Sequence, residues 1–213
     1  MTNENHVVER ALRRGGAPSD GDGADAAAAA RRLARRAAEE GLADVVYAPV
    51  SSPFGELLLA ATGRGLLRVA FPEEDVDSVL ERISRRVSPR IVEAPPALEG
   101  ARRELEEYFA GSRRRFELAL DWTLVGGPFG REVLRVTSEI PYGGVLSYRE
   151  VATDAGSPRG SRAAGNALGS NPIPIVVPCH RVLHAGGGLG GYGGGLQRKR
   201  WLLELEGALM PRL

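Results

Sequence analysis

The stretch IPIVVPCHRV, residues 173–182, sets Cys179 between Pro178 and His180 at the end of an apolar run. It is the chain's one cysteine, so the thiol is either an inert buried group or a nucleophile. An unperturbed thiol, with a pKa of about 8.5, is only a few per cent thiolate near neutrality. Three neighbours favour the anion. Pro178 suits the first position of a helix, which places Cys179 at an N-terminus whose dipole lowers a thiol pKa. His180 can serve as base or cationic neighbour, and Arg181 adds positive charge. The chemistry expected is attack by sulfur on carbon. Asn171, Cys179 and His180 also supply the residue types of a Cys-His-Asn hydrolase. In such enzymes, however, the histidine is remote in sequence, and no separate oxyanion-hole signature is present. Adjacent side chains diverge, so a water bridging Cys179 and His180 suits the pair better than a direct bond.

The elements around this segment fall into two groups. From Val45, VVYAPVSS, GELLLAAT and LLRVAF read as short strands of a meander, separated by turn signals. EEDVDSVLERISRR carries Val76, Val79, Leu80 and Ile83 at helical spacing. RIVEA predicts a strand, ALEGARRELEEYFAG a second amphipathic helix, and RFELALDW alternates as another strand. This region, residues 44–122, reads as a small α/β support domain without chemistry of its own. Residues 123–213 read as mostly helical. FGREVLRVTSEI presents Phe129, Val133, Val136 and Ile140 on one face, and SYREVATDAG opens with a capping box, Ser147 and Glu150. PRGSRAAGNALG follows after a short turn, so the pair predicts a helix-turn-helix. The second helix has almost no side-chain bulk. It fits close approach to a nucleic-acid backbone and close helix–helix packing equally well. NPIPIVVPCH predicts a buried extended run, and GGGLGGYGGG a loop around Tyr192 that lacks a P-loop's spacing. LQRKRWLLELEG predicts a closing helix with Trp201, Leu202 and Leu205 inward and the chain's sole lysine, Lys199, near its start.

Composition narrows the classes. Of 213 residues, 43% are hydrophobic and 26% charged, as in a soluble globular protein. The polar start and the lack of a long apolar stretch argue against a signal peptide and a membrane span. A lone cysteine fits a reducing compartment, so the expected location is cytoplasmic. From Thr123 onward, 10 Lys+Arg stand against 6 Asp+Glu, a balance of +4, while the first 122 residues balance at −3. A mildly basic second half is compatible with DNA but far from a strong footprint. Residues 1–43 read as an extension, a Gly/Pro/Asp linker with an Ala/Arg helix. Its arginines fit a solvated helix better than a DNA-binding arm.

NPIPIVVPCHRV, with SYREVA upstream and GYGGGLQRKRWLLELEG downstream, resembles the O6-alkylguanine-DNA alkyltransferase family. The likeness spans about residues 45–213, and the last ninety carry its specific part. The resemblance implies a ribonuclease-H-like N-terminal α/β domain and a helical C-terminal domain whose helix-turn-helix enters the minor groove. It implies a flipped O6-alkylguanine in duplex DNA, and a single-turnover transfer of its alkyl group to Cys179. In that scheme Glu206 orients His180, which acts through water on Cys179, and Asn171 forms the turn before the active segment. Tyr148 donates to N3 of the flipped guanine, stabilising the leaving anion. Arg162 takes the base's place in the stack, with Ala163 and Gly165 against the groove. Tyr192, Val182, Gly193, Pro174 and Lys199 form the base pocket. Gly193 stands where some relatives have serine, which implies a looser pocket. No cofactor or metal is implied, and a monomer is the default. The alternatives are a lesion-binding sensor without transfer and, further off, the hydrolase.

Overall fold

The computed structural model describes residues 40–210, so the expected Ala/Arg helix of the extension lies outside the described residues. Strands β1 (Val45–Ser52), β2 (Gly55–Thr62) and β3 (Gly65–Ala70) form the expected antiparallel meander. Helix α1 (Val76–Arg86) crosses back to β4 (Ile91–Glu93), which pairs parallel to β1 and completes the order β3-β2-β1-β4. Asp75 caps α1 by accepting from the Ser78 amide at 2.9 Å.

Period-2 alternation gives the sheet two apolar faces. One face, with Val45, Leu58, Ala60 and Leu67, packs on Val79 and Ile83 of α1. The other, with Leu57, Leu59, Val69 and Phe71, packs on Leu105 and Tyr108 of α2 (Glu99–Phe109) and continues without a break into the helices that follow. One core therefore spans both halves of the described chain.

RFELALDW departs from expectation. It is not a strand but makes a single bridge, Leu66 to Leu120. Gly65, at φ +133°, explains the close pass: a Cβ there would stand 2.2 Å from the Ala119 carbonyl oxygen.

The second half holds α3 (Pro128–Ser138), β5 (Leu146–Ser147), α4 (Tyr148–Asp154) and α5 (Ser161–Gly169). The predicted capping box is present, with Ser147 Oγ accepting from the Glu150 amide and Glu150 accepting from the Ser147 amide. After α5 a loop leads to β6 (Val182–Leu183), parallel to β5, and then to α6 (Leu196–Leu205). On α6 the fully buried leucines are Leu202 and Leu203; Trp201 and Leu205 are half-buried.

Candidate active site

The loop before the thiol is not the extended run expected. Val177 N–H donates to the Ile173 carbonyl at 2.9 Å, and Ile175 sits at φ +74°, a region a β-branched residue avoids. Asn171 holds this turn: its Oδ1 accepts from the Ile173 amide at 3.0 Å and its Nδ2 donates to the Val177 carbonyl at 2.9 Å. The same Nδ2 lies 3.2 Å from Cys179 Sγ, so the residue that folds the loop also donates to the sulfur. From outside, the Val69 amide of β3 donates to the Pro172 carbonyl at 2.9 Å, fixing the loop to the sheet.

Cys179 begins a single 3-10 turn, Cys179–Arg181, with Pro178 just before it. The α-helical N-terminus expected from Pro178 is therefore absent, and so is its dipole. Burial pushes the thiol up to about 11, although Asn171 and the Lys199 charge pull the other way. Burial thus outweighs the push toward the anion expected from Pro178, His180 and Arg181, and the group rests as a thiol.

Behind the thiol lies a buried polar cluster. His180 Nε2 lies 3.0 Å from Glu206 Oε1. Arg181 grips the same carboxylate with two hydrogen bonds of 2.8 Å, from Nε to Oε2 and from Nη2 to Oε1. Arg181 therefore spends its charge on Glu206 rather than on the sulfur. Tyr108 Oη donates to Glu206 Oε1 at 2.6 Å, and the Gly143 amide reaches Oε2 at 3.3 Å. Burial alone would raise the Glu206 pKa, yet the hydrogen bonds from His180 and Arg181 hold it down at about 2. Burial lowers the His180 pKa, more than Glu206 raises it, so the imidazole is neutral at pH 7. With Nε2–H donated to Glu206, Nδ1 keeps its lone pair, and it has no hydrogen-bond partner among the described residues.

Tyr108 and the Arg181–Glu206 pair escaped the sequence reading. Tyr108 belongs to the region read as chemically silent and sits on the apolar face of α2 with Ala101 and Leu105. At that spacing a tyrosine reads as core. Nothing local signals a partner 98 residues away.

In front of the thiol a cavity of about 620 Å³ is lined by Tyr148, Arg162, Gly165, Cys179, Tyr192 and Gly193, among others. Gly165 lies under the Tyr148 ring, where an added Cβ would stand 3.8 Å away. Arg162 and Ala163 are exposed on α5, and Arg162 has no ion-pair partner among the described residues. Lys199 is fully buried, donating to the Val182 carbonyl at 2.6 Å and the Gly191 carbonyl at 3.2 Å. Burial lowers its pKa to about 8, so it is mainly charged at neutrality. Contrary to expectation, neither Lys199 nor Val182 lines this cavity; Val182 is buried and meets Lys199 through its carbonyl. Pro174 faces a different cavity, on the other side of Cys179. The structure thus joins Cys179 to Asn171 and, separately, His180 to Glu206, with Tyr148 and Tyr192 lining the cavity that Cys179 faces. Among the described residues no group of three or more His, Cys, Asp or Glu is placed to hold a metal, and no helix is long and apolar enough to cross a membrane.

Two family models match: 6-O-methylguanine DNA methyltransferase, ribonuclease-like domain, over residues 45–122, and its DNA binding domain over 128–208. A curated "Methylated-DNA--protein-cysteine methyltransferase" of Mycobacterium tuberculosis is 42% identical over 165 residues, covering 78% of this chain and 94% of the relative. One of the same name from Methanosarcina acetivorans is 41% identical over 162 residues, covering 76% and 98%. Among solved structures, Mycobacterium tuberculosis OGT in complex with DNA aligns with a TM-score of 0.66 at 42% identity, covering 76% of this chain and 92% of that one.

Proposed function

The chain belongs to the 6-O-methylguanine DNA methyltransferase family, and from that premise we propose that Cys179 accepts the alkyl group. The activity that goes with membership is repair of alkylated DNA by transfer of the alkyl group to a protein cysteine. One observation carries the assignment. The chain has a single cysteine, which lines a cavity of about 620 Å³ and is followed by a buried histidine whose Nδ1 has no hydrogen-bond partner among the described residues.

The geometry supports a definite sequence of events. A monomer acting in the cytoplasm binds duplex DNA through residues 123–213, with α4 and α5 as the helix-turn-helix and residues 44–122 as support. Arg162, at the exposed start of α5, fills the gap left by the flipped O6-alkylguanine, while Ala163 and Gly165 let the helix approach the groove. The base enters between Tyr148 and Tyr192. Glu206 fixes the Nε2–H tautomer of His180, whose Nδ1 takes the thiol proton through a bridging water. Sulfur then forms a bond to the alkyl carbon as the C–O6 bond breaks, and the electron pair leaves with guanine. Tyr148 donates to the departing base, and Lys199 holds positive charge beside the developing thiolate. Burial keeps the thiol protonated at pH 7, so activation belongs to the loaded complex. Such a resting state protects a residue that can be used once.

Intact-protein mass spectrometry tests this. After incubation with duplex carrying O6-methylguanine, the wild type should gain one methyl group on the Cys179 peptide, and Cys179→Ser should gain none. Bound lesion DNA without a mass gain would make the protein a sensor instead.

A further inference from the structure

His184 takes no part in the steps above, yet the fold sets it beside a residue that does. Strands β5 and β6 run parallel in a register that pairs Leu146 with Val182 and Ser147 with Leu183. The next residue along each strand is Tyr148 in one and His184 in the other, and both line the cavity in front of Cys179. Their rings meet, with centroids 5.2 Å apart and planes tilted by 43°. The His184 side chain is exposed, but its backbone is fixed in a turn. Its amide donates to the Gly188 carbonyl and its carbonyl accepts from the Gly187 amide, both at 2.8 Å. A Cβ added to Gly188 would stand 3.7 Å from the imidazole, so the backbone of the turn supports that ring from behind.

The other neighbours of the Tyr148 ring offer little to hold it. Gly165 lies under it without a side chain, and Gly190 passes so close that an added Cβ would stand 2.6 Å from Oη. The Lys199 ammonium is 5.8 Å from the ring centroid. Among the described residues, His184 supplies the one aromatic ring packed on Tyr148. The hydroxyl itself is held loosely. It donates to the Gly191 carbonyl at 3.3 Å, long for a bond of this kind. That carbonyl also accepts from Lys199 Nζ at 3.2 Å, so it keeps a partner when Tyr148 releases it. The hydroxyl hydrogen can therefore turn to a new acceptor at small cost, provided the ring stays in place.

We infer that His184 is a positioning residue for the transfer: its imidazole pins the Tyr148 ring while the hydroxyl hydrogen turns from Gly191 to N3 of the guanine. The inference rests on the proposed donation from Tyr148 to the departing base. A ring free to tilt aims its donor poorly, and the loss falls on the transition state, where negative charge reaches the base. The restraint comes from ring packing, so it needs neither a charge nor a hydrogen bond from His184.

The test compares single-turnover transfer, at saturating protein, for duplexes bearing O6-methylguanine or O6-methyl-3-deazaguanine, in which C–H replaces N3. The wild type should transfer methyl more slowly from the 3-deaza base, which offers Tyr148 no acceptor there. His184→Ala should slow transfer from O6-methylguanine about fivefold, the order that one aromatic pair contributes, and leave transfer from the 3-deaza base unchanged. His184→Phe keeps a flat ring that carries no charge and donates no hydrogen bond, and it should restore the wild-type rate. Both substitutions fall on an exposed side chain, so the fold should survive them. Equal slowing of both substrates by His184→Ala would overturn the inference. So would a His184→Phe protein as slow as His184→Ala, the result expected of a histidine that bonds a DNA phosphate instead. A wild type that handles both bases at one rate would overturn the donation from Tyr148 beneath the inference, and one that transfers no methyl would overturn the assignment of Cys179.

Discussion

Two buried carboxylates, one in each half of the molecule, are held by dense hydrogen bonding and put to different ends. Asp121 accepts from Thr62 Oγ1 at 2.6 Å, from Arg64 Nε at 3.1 Å, and from the Thr123 amide and hydroxyl at 3.0 and 2.5 Å. All its donors come from the β2–β3 turn and its own loop, and none leads further. Glu206 gathers donors from α2, the loop before β5 and the turn after Cys179. One of those donors is His180, whose other nitrogen has no partner among the described residues. The Asp121 cluster closes on itself and ties residues 119–123 to the sheet. The Glu206 cluster is open at one end, at Nδ1 of the residue that follows Cys179. An unsatisfied buried polar atom is a cost that a purely structural network avoids, so the open end marks the functional one.

The sharpest way to break this comparison is to neutralise each carboxylate. Glu206→Gln leaves Arg181 buried without its counter-charge, a loss of about 3–5 kcal/mol, and weakens the bond that fixes the His180 tautomer. Alkyl transfer by the folded fraction should fall about a hundredfold, an increase of about 2.7 kcal/mol in the barrier. Asp121→Asn should cost about 1.5–3 kcal/mol of stability and leave the transfer rate of folded protein unchanged. Chemical denaturation with single-turnover kinetics on both variants decides the matter. Acid adds a second reading. The Glu206 pKa is lowered from 4.5 to about 2, so its stabilisation is complete above pH 4.5 and lost as pH falls through 2, about 3 kcal/mol in all. Glu206→Gln should flatten that acid slope. Equal loss of transfer in the two variants would erase the distinction between closed and open clusters.

Tyr108→Phe is the next largest effect, because it tests whether the sheet half takes part in the chemistry. The change keeps the ring in the core and removes one hydroxyl, which bonds Glu206 Oε1, the same oxygen that faces His180. Transfer should slow about tenfold, with a shift in the acid limb of the rate–pH profile as His180 is held less firmly. Thr62→Val, the matching deletion at Asp121, should cost about 1 kcal/mol and move neither rate nor profile. A Tyr108→Phe protein that loses only stability would make the tyrosine a core residue with a satisfied hydroxyl.

The contrast also explains what could be read from the sequence. The meander, the amphipathic helices and the capping box at Ser147 were legible because local periodicity and local hydrogen bonds determine them. Asn171, His180 and Glu206 were legible through the resemblance of PCHRV and its flanks. Other features were not: the partners of Tyr108, Arg181 and residues 115–122 are remote in sequence, and the bend before Cys179 is local but leaves no periodic signal. RFELALDW alternates like a strand, but the carbonyl of Ala119 crosses above Gly65 and permits a single bridge. IPIVVP reads as extended, but Asn171 bends it through Ile175. The state of the thiol was misjudged because helix dipole and neighbouring charge can be guessed from residue types, whereas full desolvation depends on what the whole fold packs around the sulfur.

Lys199 offers the smallest effect and the finest discrimination, because its two roles have opposite pH slopes. Its pKa is lowered from 10.5 to about 8, so between these values the unfolded chain holds a proton that the folded chain has released. Lys199 should therefore make stability rise with pH from 8 to about 9; above 9 the buried Cys179 thiol, which keeps its proton up to about 11, pulls the other way and the two slopes roughly cancel. Transfer should respond the other way. Above pH 8 the ammonium that stabilises the Cys179 thiolate is lost, so the rate should bend down by a few-fold from the rise that thiol ionisation alone would give. Thermal melting and single-turnover rates between pH 7 and 10.5 measure both slopes on one sample. Lys199→Met should remove the rise between pH 8 and 9 and leave a decline above pH 9 from Cys179. A wild-type rate that climbs without a bend through pH 8 would mean that Lys199 only bonds the carbonyls of Val182 and Gly191, which would align it with the closed, structural kind of cluster at Asp121 rather than the open one at Glu206.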